Sequence, residues 1–182
     1  MVVHDLSFLH EPRWYTWKSR IWHKLVMCQR LWQRADLLAC VSKMTAYDLQ
    51  KTTGISRDKI SVVPYKGTGS RVGARDDGGG PYALAIGRVG PRKNILGLIE
   101  GVGKWLKAHG LNLIVVGPAD KKINSTPITS FTGYTSEAHK QELLNRASLL
   151  FEVSFFEGIG LPLLEAKTIP QVVSHATSLP EY

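Results

Sequence analysis

Apolar residues in this chain follow two alternating patterns. Short continuous runs occupy 36–41, 59–64, 82–87, 111–117, 128–133, 149–153 and 171–174. Runs of this length, rich in Val, Ile and Leu, match strands of a parallel sheet, which are buried on both faces and show no in-out alternation. Between the runs, apolar residues recur at three- and four-residue steps, the period of one helix face. That spacing predicts helices over 14–35, from Ser42 to Thr53, from Asn94 to Ala108 and from Ser136 to about Ala147, with a further one starting near Pro162. Ser42 and Ser136 suit N-caps, and Gly54 and Gly110 suit C-terminal stops. Strand and helix alternate along the chain, so the expected fold class is α/β with a parallel, doubly wound sheet.

The pattern lapses after Lys66, where Gly-Thr-Gly-Ser-Arg-Val-Gly-Ala-Arg-Asp-Asp-Gly-Gly-Gly carries almost no apolar content. A linker is therefore expected over 67–80, separating a first domain at 1–66 from a second at 81–182. The first residues read as a strand that runs without a preceding turn into His4 and Asp5. This places both at a strand end of the kind that opens onto a cleft, in a chain expected to begin mid-domain. From Trp14 to Ala35 a single amphipathic helix is expected, with Trp17, Ile21, Leu25, Cys28, Leu31 and Trp32 on one face. Its remaining positions hold Lys18, Arg20, His23, Lys24, Arg30 and Arg34. Two readings stand: a helix covering a sheet with its charged face solvated, or a basic, tryptophan-bearing face lying on an anionic membrane.

Composition narrows the class without naming a function. Hydrophobic residues make up 43% and charged residues 21%, ordinary for a globular protein. No run of 18 apolar residues and no signal-peptide pattern occurs, so a cytoplasmic location is expected, on the membrane's cytoplasmic face under the second reading of 14–35. The net charge of +8 is concentrated early: residues 1–66 hold 11 Lys and Arg against 5 Asp and Glu. No nucleic-acid motif accompanies these cations, so nucleic acid is not an expected partner. The two cysteines, Cys28 and Cys40, have no metal-ligand spacing and read as reduced thiols.

Candidate chemistry gathers in Ser154–Glu165, Ser-Phe-Phe-Glu-Gly-Ile-Gly-Leu-Pro-Leu-Leu-Glu. Glycines allow close backbone approach to a ligand, and Pro162 suits the first turn of a helix. Glu157 precedes the helix and Glu165 is expected about a turn inside it. Bare amides at such a helix start favour phosphate, and the two carboxylates accept from sugar hydroxyls, a combination that fits a nucleotide sugar. Gly87 and Arg88, followed by Lys93, lie at the carboxyl end of the strand at 82–87, where ligands of such sheets bind. Arg and Lys there would neutralise a diphosphate.

These residues resemble the retaining glycosyltransferases of family 4. The matching pieces are His-Asp-Leu-Ser-Phe-Leu at 4–9, Ala-Asp-Leu-Leu-Ala-Cys-Val-Ser at 35–42, Lys-Ile-Ser-Val-Val-Pro at 59–64 and Ala-Ile-Gly-Arg-Val-Gly-Pro-Arg-Lys-Asn at 85–94. They continue with Phe-Thr-Gly-Tyr at 131–134, Glu-Gly-Ile-Gly-Leu-Pro-Leu-Leu-Glu-Ala at 157–166 and Ser-Leu-Pro-Glu at 178–181. The resemblance implies a GT-B architecture, with the end of an acceptor-side Rossmann-like domain at 1–66 and a nucleotide-sugar-binding domain at 81–182. It also implies a cytoplasmic enzyme of polysaccharide assembly.

By the same resemblance Glu157 holds donor-sugar hydroxyls and Glu165 the ribose hydroxyls. Arg88 and Lys93 bind the diphosphate, helped by amides around Gly160 and Leu161, with Gly87, Gly158 and Ile159 also on the donor. Gly133 and Tyr134 lie beside the base, and His4 is the cleft histidine of the acceptor-side domain. The implied partners are a nucleotide-sugar donor, such as a GDP- or UDP-sugar, and a saccharide or lipid-linked acceptor. No cofactor is implied, and with no metal-ligand cluster in the sequence, metal independence is expected. The chain departs from the family pattern at both ends, which have no counterpart for the family's outer parts, and at Pro170, which stops the helix bearing Glu165 early. Two alternatives accompany the transferase reading: a non-catalytic nucleotide-sugar-binding module and a nucleotide-sugar epimerase on the same fold.

Overall fold

The computed structural model describes residues 1–63, 80–119, 123, 125–166 and 168–181. The linker expected at 67–80 lies outside the described residues except for Gly80, as does Pro64 at the end of the run at 59–64. The chain forms two compact units, one of Met1–Lys66, Phe156–Gly160 and His175–Tyr182, the other of Gly67–Phe155 and Leu161–Ser174. Two segments beyond residue 81 thus group with the N-terminal unit.

In the first unit, β1 (Val2–Val3), β2 (Leu38–Cys40) and β3 (Ile60–Val62) form a parallel sheet in that order. Helices α1 (Ser7–His10), α2 (Trp17–Val26), α3 (Cys28–Arg34) and α4 (Lys43–Thr53) complete it. The core is built on Val3, Leu6, Trp32, Leu38, Leu49 and Ile60. Burial pushes the Cys40 thiol up to about 11, leaving it a small apolar side chain at neutral pH. Helix α4 starts and stops where expected: the Thr45 amide donates to Ser42 Oγ at 3.0 Å, and Gly54 adopts φ 69°.

The single helix expected over 14–35 is two. Trp14 ends a 3-10 turn begun by Pro12, and Thr16 caps α2 by accepting from the Ser19 amide. Met27 then breaks the run at φ 48°, a left-handed conformation that costs a non-glycine residue roughly 1–2 kcal/mol. The break lets α3 turn Trp32 into the core, while no residue of α2 is fully buried. Periodicity is blind to such a kink, because the apolar spacing continues through it.

The second unit holds β4 (Tyr82–Ile86), β5 (Asn112–Val116), β6 (Thr129–Gly133), β7 (Leu149–Glu152) and β8 (Gln171–Val173). The sheet order is β6-β5-β4-β7-β8, with every pair parallel. Beside it run α5 (Ile95–Ala108), α6 (Glu137–Arg146) and α7 (Leu161–Glu165). Ala83, Ala85, Leu113, Val115 and Phe151 meet Leu98 and Leu106 of α5 in the core. The strand order reverses direction between β4 and β7, the topological switch point at which open α/β sheets bind ligands.

Glu165 lies about a turn past the start of α7, as expected, and is also its last residue. Gln171 donates its side-chain amide to the Leu163 and Ala166 carbonyls at 3.0 and 2.8 Å, satisfying the helix end there. Pro170, one residue before, bars any continuation. Among the described residues no helix is long and apolar enough to cross a membrane.

Candidate functional site

The residues singled out by sequence divide between the two units and are described unit by unit. At the switch point of the second unit, β4 is followed by Gly87, whose amide donates to the Val116 carbonyl at 2.8 Å. Gly87 has φ 149° and Gly117 has φ 140°. A Cβ on Gly117 would run into the Gly87 carbonyl, and one on Gly87 would lie 3.0 Å from Cγ, Cδ and Cε of Lys93. Gly87 is therefore what lets the Lys93 stem lie flat across the strand end.

The Lys93 ammonium reaches the end of β7, where Nζ sits 3.2 Å from both carboxylate oxygens of Glu152. Both side chains are largely hidden, 11% exposed for Lys93 and 3% for Glu152. The Ser154 hydroxyl donates to the same carboxylate. Further bonds fix the surrounding loop: the Phe155 amide to the Arg92 carbonyl at 2.9 Å, and the Ser174 hydroxyl to the Ser154 carbonyl at 2.7 Å. A buried cation is thus held in place by a buried anion, each offsetting the desolvation of the other.

Arg88, the other expected diphosphate ligand, is exposed and reaches Tyr134 Oη at 3.4 Å. Tyr134 follows Gly133 at the end of β6 and is 82% exposed, so Arg88 and the residues expected beside the base are together. Glu165 is half-buried and paired with Lys140 of α6 at 2.9 Å, and the same ammonium lies 2.7 Å from Glu137. Burial works against the Lys140 charge, but hydrogen bonds and charge from Glu137 and Glu165 prevail, holding its pKa above the ordinary lysine value. The hydrogen bond from Lys140 holds the Glu137 carboxyl below its ordinary value. Leu161 opens α7 and is exposed.

The first unit carries His4, Glu157, Gly158, Ile159 and Gly160. His4 is exposed past the end of β1, and its carbonyl accepts from Thr45 Oγ1 at 3.4 Å. Gly158 is packed on that same carbonyl: a Cβ would strike the His4 oxygen. The backbone of Glu157 is clamped by Thr177, whose Oγ1 accepts from the Glu157 amide at 2.8 Å and donates to its carbonyl at 2.9 Å. Ser178 Oγ donates to the same carbonyl at 2.7 Å. Glu181 accepts from the Lys43 and Met44 amides at 2.8 and 2.6 Å, capping α4.

Sequence reasoning did not single out Glu152, Lys140 or Thr177. Glu152 carried a signal, an acid inside the run Leu-Leu-Phe-Glu-Val that reads as buried on both faces, where a carboxylate requires a cationic partner. Lys140 and Thr177 carried none, because Glu165 and Glu157, the candidate site residues they bond to, lie 25 and 20 residues away. Among the described residues no three His, Cys, Asp or Glu side chains cluster as metal ligands.

Residues 71–182 match a family model described as glycosyl transferases group 1. Among curated proteins, the O-antigen chain mannosyltransferase B of Escherichia coli is 32% identical over 55% of this chain and 30% of its own length. WaaG, a glycosyltransferase involved in lipopolysaccharide biosynthesis, matches 100% of this chain and 57% of its own at 17% identity, with a TM-score of 0.70. HepE of Anabaena, solved with UDP and glucose, matches 97% of this chain and 52% of its own at 15% identity, also with a TM-score of 0.70. This chain therefore spans from under a third to just over half of these proteins. The fold that the two solved structures share with it is the GT-B type.

Proposed function

The chain belongs to the glycosyl transferases of group 1, and on that premise we propose that it moves a sugar from a nucleotide-sugar donor to a hydroxyl acceptor with retention of configuration. The observation that carries the donor reading is Lys93, a cation fixed by Glu152 at the switch point of a parallel sheet. The solved relative with UDP and glucose supports a nucleotide sugar as the ligand class.

In this reading the bond from the anomeric carbon to the diphosphate oxygen breaks, and the acceptor oxygen bonds the same carbon on the same face. The acceptor proton leaves with the nucleoside diphosphate. Negative charge grows on the diphosphate, and Lys93 and Arg88 stabilise it there, where preorganised charge lowers the barrier most. Glu165 takes the ribose hydroxyls, held by Lys140, and Tyr134 and Gly133 flank the base. Gly87, Ile159, Gly160 and Leu161 supply backbone to the donor. Glu157, its backbone fixed by Thr177, holds sugar hydroxyls, and Gly158 permits close packing beside it. His4 serves the transferred sugar. No metal ion or cofactor enters the scheme, and the acceptor is a saccharide or a lipid-linked hydroxyl.

The test is turnover with a panel of GDP- and UDP-sugars in the presence of a chelator, with the anomer assigned by NMR. A product of retained configuration is expected. Inversion, a requirement for metal, or free epimerised donor as the product would overturn the reading, as would nucleotide binding with no transfer to any acceptor.

A further inference from the structure

Helix α1 is four residues long, too short to hold its own shape, so contacts from outside must fix both of its ends. Its start is pinned by Asp5, whose carboxylate accepts from the Ser7 amide at 2.9 Å. Its last residue is His10, and there the partner is Asp48 of α4: the imidazole Nε2 lies 2.7 and 2.9 Å from the two carboxylate oxygens. An ionised carboxylate only accepts, so Nε2 carries a proton in either charge state of the ring, and the bond sets both its tautomer and its plane. Asp48 is itself held by Thr52, whose hydroxyl donates to the same carboxylate at 3.1 Å. The two side chains are 39% and 14% exposed. A pair this close to solvent adds only about 0–1 kcal/mol as a tether, so its worth lies in direction rather than in stability.

The ring so aimed meets Phe156. The two stack with centroids 5.7 Å apart and planes 28° apart. Phe156 directly precedes Glu157, and the residues that follow are held as closely. Thr177 Oγ1 bonds both the amide and the carbonyl of Glu157, and Gly158 lies so near the His4 carbonyl that a Cβ would strike it. Thr177 makes its two bonds from φ 47°, a conformation rare for a β-branched residue that persists only where the surroundings over-determine it. Glu157 is thus gripped twice, by Thr177 at its own peptide and by His10 through the ring of its neighbour.

We propose that His10, oriented by Asp48, is a positioning residue for Glu157. It acts through Phe156 and touches no reacting atom: it sets the place from which the Glu157 carboxylate meets the donor-sugar hydroxyls. It rests on the proposed role of Glu157 at the donor sugar.

The experiment combines transfer kinetics with amide hydrogen exchange in the full chain. His10→Ala is expected to lower kcat about 10- to 100-fold, the scale of a site group misplaced by about 1 Å, while affinity for free nucleoside diphosphate, which carries no sugar, stays within about twofold. His10→Phe keeps a ring against Phe156 without the Asp48 bond and is expected to recover part of the loss. The double variant His10→Ala, Asp48→Ala is expected to cost no more than His10→Ala alone, because the pair acts as a unit. Without donor, the Glu157 amide is expected to exchange at least about fivefold faster in His10→Ala, as its bond to Thr177 opens more often. Unchanged kcat with unchanged exchange would overturn the proposal. So would equal losses of kcat and nucleotide affinity with a lowered melting temperature, the mark of a merely structural contact. Faster exchange at Glu157 in a chain whose wild type transfers no sugar would support the positioning and sink the donor reading alone.

Discussion

Lys93 and Glu152 meet at the point in the second unit where the strand order reverses, the ammonium 3.2 Å from both oxygens of a carboxylate that is 3% exposed. The pair joins the chain just after β4 to the end of β7. Neither group is tolerable there alone. Breaking a buried pair by removing one partner typically costs about 3–5 kcal/mol, whereas replacing both with apolar groups is often neutral. Glu152→Ala is accordingly expected to lose about 3–5 kcal/mol in urea unfolding, and the double variant Glu152→Leu, Lys93→Met to recover most of it. Nucleotide binding separates the two roles. The double variant is expected to bind nucleoside diphosphate about 10- to 100-fold more weakly despite its recovered stability, the worth of a charge-assisted hydrogen bond. Undiminished affinity in that variant would remove Lys93 from the donor site.

Gly87 and Gly117 make a graded pair. An alanine at 87 meets only the flexible Lys93 stem, while an alanine at 117 meets a backbone carbonyl that cannot move aside. Both carry a positive φ far from the left-handed helical region, at 149° and 140°, where only glycine is at ease and an alanine costs on the order of 1–3 kcal/mol. Gly87→Ala is expected to cost about that amount and to displace Lys93, weakening diphosphate binding. Gly117→Ala is expected to lower the melting temperature more. The reverse order in thermal unfolding would contradict this packing.

Much of this was legible in the sequence, and what was not has a physical reason. The runs at 82–87 and 111–117 became β4 and β5 to within a residue or two, because strands buried on both faces leave a continuous apolar signature. The caps Ser42 and Ser136 were readable because their bonds are local, three residues along. The kink at Met27 was not, because a left-handed residue leaves no mark on apolar spacing. Glu157 and Glu165 were singled out from the Glu-Gly-x-Gly stretch, but the groups they bond to, Thr177 and Lys140, were not. Those contacts are made by the fold, between segments far apart in the chain.

Lys140 bridges Glu137 and Glu165, and its loss should act on ribose binding more than on chemistry. Lys140→Met is expected to raise the donor KM several-fold with little change in kcat, since Glu165 would keep its charge but lose its orientation. The pH dependence has a definite sign. Glu137 is lowered from 4.5, so its contribution is present above pH 4.5 and is lost as pH falls through the lower folded value. Lys140 is raised from 10.5, so its contribution is full below pH 10.5 and is lost as pH rises through the higher folded value. The stability difference between wild type and Lys140→Met should therefore be flat between these limits and shrink beyond both. A difference that grows toward acid pH would show that the bridge is not what stabilises α6.

Glu181 caps α4 from the far end of the chain, each carboxylate oxygen taking one backbone amide, at Lys43 and at Met44. These amides belong to the first turn of α4, whose donors have no partner inside the helix, and a negative charge there also meets the positive end of the helix dipole. Ser42 already serves the Thr45 amide, so the two caps act on different donors of the same turn. Loss of a cap costs about 0.5–2 kcal/mol. Glu181→Ala is expected to fall in that range, and Glu181→Gln to cost less, because the amide oxygen still accepts one bond while the charge is gone. Hydrogen exchange gives the discriminating readout: the Lys43 and Met44 amides should exchange faster in Glu181→Ala, while the Thr45 amide, held by Ser42, keeps its protection. Because Ser178 of the same segment bonds the Glu157 carbonyl, releasing Glu181 should also loosen the clamp on Glu157. Loss of transfer activity should then exceed what the change in stability alone predicts.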